Sequence, residues 1–221
     1  MSRIFALKRH AIILGVCVVF LMIMVPLATF AKSPSAGSST TKSAPGGYSF
    51  FGDAKLVTPG DASKHSVKLD SNALDKVLYG GINFKIPKGT TFANIQTLAT
   101  DYYFKHNSCG GGSPRFQINV LGANANVYIG PPPNYTGCPT NVWTSTGNLV
   151  APTNFVDTSQ LPGGTFYDTF ASADAKYGSD AVTGIQLVVD GEWFFSDHQQ
   201  TVLVDNVTIN TKTYGFEHPN G

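Results

Sequence analysis

From Arg115 to Gly130 apolar and polar residues take turns along the chain. Phe116, Ile118 and Val120 interleave with Arg115, Gln117 and Asn119, and Val127 and Ile129 with Asn126 and Tyr128. A period of two buries one face of a strand and leaves the other to water, so the stretch reads as a β-hairpin turning through Gly122-Ala123-Asn124-Ala125. Near the end, Ile185, Leu187 and Val189 alternate with Gln186, Val188 and Asp190, and Thr201 to Ile209 returns after a loop holding Asp190-Gly191 and Asp197-His198. Runs at 48–51, 55–58, 66–69, 82–86, 98–104, 142–145 and 211–216 predict further strands. Only Tyr167 to Tyr177, with Ala171, Ala173 and Ala175, reads as a helix, and it is short.

Composition points the same way. Twelve Asp stand against two Glu, and 23 Gly and 13 Pro punctuate the runs, a bias toward turns and strands over long helices. The expected fold is all-β: a two-sheet antiparallel β-sandwich of jelly-roll type with at most one short helix. An immunoglobulin-like sandwich fits less well, because it shows a Cys, Trp, Cys order and Trp143 here follows both Cys109 and Cys138.

Arg3, Lys8 and Arg9 precede an uncharged apolar run from Ala11 to Ala31, the layout of a segment for export. Residues 1–31 read as a signal peptide, cut after Ala31, or as a retained signal anchor. Residues 32–47 are Ser, Thr, Pro, Gly and Lys-rich, without an aromatic or branched aliphatic side chain, and read as a flexible linker. Residues 48–221 are left as one β-sandwich domain. In an exported chain Cys109 and Cys138 pair as a disulfide; without export, two buried thiols are the other reading. From Lys32 onward 12 basic residues face 14 acidic ones, which excludes a charge-driven nucleic-acid binder.

The outward side of the alternating strands carries Arg115, Gln117, Asn119, Asn126 and Tyr128 on the hairpin and Gln186 on the later strand. Amides, one guanidinium and a phenol form a neutral hydrogen-bonding face. Sugars present fixed hydroxyls and apolar C–H faces, so such a face, with Trp193 or Trp143 as a stacking ring, suits a polysaccharide or cell-surface glycan. A solvated sheet face is the bland reading of the same residues. Trp193, beside a turn, is either a loop-tip platform or a cap on the core. Tyr135 with Pro131, Pro132 and Pro133 forms a stiff segment inside the disulfide loop, either a binding lip or a braced crossover.

Val182 to Ile209 (VTGIQLVVDGEWFFSDHQQTVLVDNVTI), ending in Val204-Asp205-Asn206-Val207, resembles the closing strand pair of secreted jelly-roll domains of the galactose-binding-like and carbohydrate-binding-module type. The resemblance implies polysaccharide binding on a concave face or at loop tips, and a structural calcium ion. Asp205 itself, on a face with Leu203, Val207 and Ile209, needs an explanation. An ion pair with Arg115 or a lysine, a calcium site completed by Asp53 and backbone carbonyls, and exposure through a bulge are the three readings left open.

Catalytic signatures are missing: there is no His-Glu-x-x-His, no Gly-x-Ser-x-Gly and no local carboxylate pair on a strand, and Asp168 and Asp174 read as cap or surface residues. The expected function is therefore an exported, non-catalytic carbohydrate-binding protein requiring no cofactor. The competing class is a structural or adhesive cell-envelope protein with a protein-binding sheet face, and a polysaccharide-active hydrolase comes third. Membrane contact is expected only through residues 11–31, if the leader is retained.

Overall fold

The computed structural model describes residues 47–217. Residues 1–31, read as a signal peptide or signal anchor, and all of the linker except Gly47 lie outside these residues. Gly47 is already tied into the domain, its carbonyl accepting from Lys85 N at 2.7 Å. Among the described residues no helix is long and apolar enough to cross a membrane.

The chain forms β1 (Tyr48–Gly52), β2 (Ala54–Val57), β3 (Ser66–Asn72), β4 (Gly80–Phe84), β5 (Leu98–His106), β6 (Arg115–Val120) and β7 (Ala123–Tyr128). After them come β8 (Thr144–Ser145), β9 (Phe155–Val156), β10 (Asp168–Thr169), α1 (Phe170–Tyr177), β11 (Val182–Val189), β12 (Gln199–Ile209) and β13 (Lys212–Tyr214). One sheet has the order β1-β4-β11-β6-β7 and the other β2-β3-β12-β5-β8, with β13 also on β12. Every ladder within these two sheets is antiparallel. The late strands β11 and β12 insert between early ones, β11 between β4 and β6 and β12 between β3 and β5. That is jelly-roll connectivity, as the strand pattern led us to expect.

Alternation decides which side of each strand is buried. Phe116, Ile118 and Val120 of β6 meet Ile82, Ile185, Leu187 and Val127 on the inner face of the five-stranded sheet, and Val67, Leu69, Phe104, Val202 and Val204 fill the inner face of the other. The β6–β7 turn is tighter than the sequence suggested: Val120 pairs with Ala123, and Leu121 and Gly122 alone form it, both at positive φ (52° and 75°). Two such residues make the hairpin turn whose twist matches the strands, so Ala123 to Ala125 belong to the ladder.

The helix starts later than expected. Asp168 and Thr169 pair with Val156 and Phe155 as β10, and the Thr169 hydroxyl caps α1 by accepting from Ser172 N at 3.1 Å. Asp168 is buried, not a surface residue. Burial alone would raise its carboxyl, but the hydrogen bonds from Lys176 (2.7 and 2.8 Å), Thr158 and Ser172, with the Lys176 charge, hold it below the ordinary carboxylate range. A depressed folded-state value adds stability that is present above the unfolded value of 3.8 and lost as pH falls through the folded one. The difference in unfolding free energy between the wild type and Asp168→Asn should therefore be constant above about pH 5 and shrink below it. Urea titrations from pH 2.5 to 7 check this; a difference independent of pH would contradict it.

Candidate functional site

Register brings the outward residues of five strands into rows. Ser49 on β1 pairs with Asn83, Asn83 with Gln186, Gln186 with Gln117 and Gln117 with Asn126, so one row of polar side chains crosses the whole sheet. Gln186 Nε2 donates to Asn83 Oδ1 at 2.6 Å. With the Gln117 amide oriented to satisfy both its ends, its nitrogen donates to Gln186 Oε1 at 3.0 Å and its oxygen accepts from Arg115. Asn119 pairs with Asn124 one row further along and donates to it. The row on the other side holds Arg115 opposite Tyr128.

At that end the face sinks into a recess of about 230 Å³, lined among others by Arg115, Asn126, Tyr128, Asp157, Asp190 and Trp193. Arg115 grips Asp190 with two hydrogen bonds, Nη1 to Oδ1 at 2.6 Å and Nη2 to Oδ2 at 2.7 Å, and donates to Gly112 O at 3.1 Å. Its Nε and Nη2 also face the Gln117 oxygen at 3.3 and 3.1 Å. The ion pair of Arg115 with Asp205, one of the three readings left open, is not made; Arg115 pairs instead with Asp190, the residue after β11. The neutral face expected from the strands also gains two carboxylates. Tyr128 donates its phenol proton to Asp157 Oδ2 at 2.6 Å, and Asp157 Oδ1 accepts from Ser159 N at 2.9 Å. Burial, reinforced by the bond to Asp157, pushes the Tyr128 phenol well above the ordinary tyrosine range, so it stays a donor.

Rings stand on both sides. Trp193, in the short 3-10 turn Glu192–Phe194, is 62% exposed and is a loop-tip ring. Opposite it, Tyr128 packs on Tyr135 (centroids 4.5 Å apart) and Phe166 (5.8 Å), with Tyr167 and Phe155 extending the cluster. Burial, followed by the nearby Tyr167 and Asp157, pushes Tyr135 up to about 12. Between the two walls runs Gly111-Gly112, both at positive φ; a Cβ on Gly111 would lie 2.9 Å from Trp193 and one on Gly112 2.9 Å from Tyr128. Only glycine lets backbone pass between those rings. The segment is pinned by the Cys109–Cys138 disulfide and by buried Gln200, which bonds Ser108 and Ser113 on either side of it.

Of the expected contact residues, the structure therefore brings Arg115, Tyr128 and Trp193 to one recess, with Gln117, Asn119 and Gln186 on the same face beyond it. Trp143 is not among them. It packs on Tyr103 of β5 (5.6 Å), on the other sheet, because Tyr103 points away from the inward-facing Tyr102 and Phe104. The sequence reading missed Asp157, Gln160, Phe166 and Tyr167, which reach the site from the loop after β9. Asn126 was placed on the outward hydrogen-bonding face by its alternation, whereas Asp190 was visible only as the residue after the alternating run and carried no role.

The Asp205–Asp53 pair does not form. Between Asp205 and Thr208 the β12–β5 register slips, with Asn206 at φ 47°, so Val207 and Ile209 turn inward and no longer share the Asp205 face. Asp205 is nonetheless fully buried, under the loop that precedes β3, where its carboxylate accepts from Asp61 N (2.9 Å), Ser63 Oγ (2.6 Å) and Asn206 N (2.8 Å). Burial raises its carboxyl above the usual range, and these donors offset part of the rise. Asp53 sits level with Asp70 and Thr201, four residues or roughly 13 Å along β12 from Asp205 at 3.3 Å per residue, and two strand positions to the side. Donors surround Asp205 where calcium would need oxygen ligands, so these two residues do not fit the ion.

No family model matches the sequence, and no curated protein matches it. Among solved structures, one described as the structural analysis of an exo-beta-agarase is similar at 13% identity and a TM-score of 0.36, over 76% of this chain and 24% of that one.

Proposed function

We propose that this chain is an exported carbohydrate-binding protein that holds a sugar unit of a polysaccharide or cell-surface glycan at the recess lined by Trp193, Tyr128, Asp157 and Asp190, without transforming it. The observation that carries the reading is a recess whose surface is almost wholly hydrogen-bonding, built from Asn126, Asp157, Gln160 and Asp190, with the exposed Trp193 ring at its rim to meet the apolar face of a sugar. Gln117, Gln186 and Asn119 extend that surface along the sheet for neighbouring units. The role of Arg115 is to fix Asp190, Gln117 and Gly112 in place rather than to reach the ligand. Both carboxylates of the recess are held at both oxygens, Asp190 by Arg115 and Asp157 by Tyr128 and Ser159, an arrangement for accepting hydrogen bonds rather than for passing a proton to a leaving group. Export is supported by the charge layout of residues 1–31 and by the disulfide.

The test is affinity electrophoresis through gels containing agarose, starch, galactomannan, polygalacturonate or carrageenan. At least one should retard the protein, and Trp193→Ala, a change at an exposed ring, should weaken that binding about tenfold, equivalent to ~1.4 kcal/mol. If no polysaccharide retards the chain, or if Trp193→Ala binds as the wild type does, the reading fails. Release of reducing ends during the assay would instead favour a hydrolase.

A further inference from the structure

The two ends of the sandwich differ in what they show to solvent. Six of the eleven large apolar side chains exposed among the described residues, Leu74, Val77, Leu78, Tyr79, Trp193 and Phe194, stand on two loops at the end where β3 and β11 finish. Single exposed apolar residues are ordinary surface, whereas a concentration of them marks a face that meets something other than water. The two loops are neighbours. The Ser71 hydroxyl lies between them, 2.8 Å from Leu78 O and 3.2 Å from Glu192 N, and Ala73 N donates to His198 O at 3.1 Å.

Three observations bear on what covers this end. The first is shape: Asn72 bridges to Val77, which closes 73–76 into a tight projecting turn, every residue from 73 to 79 is exposed, and Leu74 is 76% so. A projecting tip gives a protein partner little to close over, while a fluid surface closes round it. The second is the state of the backbone. Leu74 N donates to Asn72 Oδ1 (2.9 Å), Tyr79 O accepts from Asp53 N (2.9 Å), and Phe194 N and Phe195 N donate to Gly191 O (3.0 Å) and Glu192 O (3.2 Å). Backbone already paired inside the protein can leave water for hydrocarbon, which offers no partners of its own. The third is charge: Asp75 and Lys76 on the turn cancel, and beneath it Lys55 pairs with Asp53 and Lys68 with Asp70. No field of either sign draws in an ionic partner.

We propose that this end of the domain docks on a lipid bilayer of zwitterionic surface, with Leu74, Leu78 and Phe194 entering the acyl region and Trp193 and Tyr79 settling at headgroup level. Leucine and phenylalanine beside tryptophan and tyrosine is the mixture that such an interface favours, and Lys76 is long enough to keep its charge in water. The reading of residues 1–31 as a signal peptide or signal anchor brings the chain to a membrane in either case. The proposal is independent of the carbohydrate reading, which loses nothing if the tip stays in water.

The experiment uses the full chain carrying Trp143→Phe, which leaves Trp193 as its sole tryptophan, and phosphatidylcholine vesicles with and without bromine on the acyl chains. Residues 11–31 are apolar enough to reach vesicles by themselves, so the readout is local: quenching of Trp193 emission by the brominated chains. Quenching of about half the emission is expected, alike in 0.1 and 1 M salt, where the screening length falls from about 10 to 3 Å. In the Leu74→Gln, Leu78→Gln double variant it should drop about fivefold with the thermal midpoint unchanged, because both side chains are exposed. No quenching, quenching kept in the double variant, or quenching abolished by salt would each overturn the proposal. So would a chain that sediments as a dimer without lipid and as a monomer in the double variant, since a second copy would then be what covers the tip. Should the double variant fail to fold, Leu74→Gln alone decides, with an expected drop of about twofold and an unchanged value counting against the proposal.

Discussion

Gln200→Leu is expected to lower the unfolding free energy by about 3 kcal/mol. Gln200 lies on the inward face of β12 and is 0% exposed, an amide in line with Val202 and Val204. Its oxygen accepts from Ser113 Oγ at 2.6 Å, and its nitrogen donates to Ser108 O at 2.7 Å and Ser113 O at 3.1 Å. Leucine of similar size keeps the space filled but leaves the Ser108 carbonyl and the Ser113 hydroxyl proton without these partners. Ser113 O retains the bond from Gly110 N, so two orphaned groups at roughly 1–3 kcal/mol each set the estimate. The glycan binding proposed above should weaken as well, because Ser113 Oγ accepts from Asp190 N and helps place the carboxylate that Arg115 grips. Guanidinium denaturation with a parallel binding titration checks both; a loss under 1 kcal/mol would mean that water takes over the amide's partners.

Removing the disulfide should be as costly. Cys109 and Cys138 are 29 residues apart, and in the chain-entropy account opening a loop of that length costs roughly 3.5 kcal/mol. The bridge also ties two parts of the recess together, since Cys109 leads directly into Gly110-Gly112 and the closed loop carries Tyr135, the ring beneath Tyr128. The Cys109→Ala, Cys138→Ala double variant should therefore lose stability by that amount and also lose protection of the backbone around Tyr135, read by amide exchange at residues 134–138. Equal denaturation midpoints for the oxidised chain and the double variant would contradict the expectation.

The inward and outward residues of β6 were legible because period two leaves no choice: a slip of one residue would have put Phe116, Ile118 and Val120 in water. The jelly-roll order was legible only as a class, from the number and spacing of short runs. What could not be read was contact between distant segments. Nothing in the neighbourhood of Arg115 says which of twelve aspartates it meets, and the answer depends on β11 lying beside β6. Asp157 and Phe166 enter from a loop with no alternation, where sequence offers turn chemistry and no address. Asp205 is the instructive case: exposure through a bulge was one reading, and the bulge occurs without the exposure, re-aiming Val207 and Ile209 while the loop before β3 covers the carboxylate. Trp143 was misplaced because the short run at 142–145 carries no mark of which sheet its ring settles on.

The row of amides across the sheet has one further consequence. A guanidinium can only give hydrogens, so the oxygen of Gln117 must turn toward Arg115 and its nitrogen toward Gln186, whose nitrogen must then turn toward Asn83. The heading of every dipole in that file is dictated from one end, like needles aligned by a magnet. An acceptor put at position 115 would reverse all three without moving the backbone, so an event at the rim of the recess is legible roughly 10 Å away, two strands over.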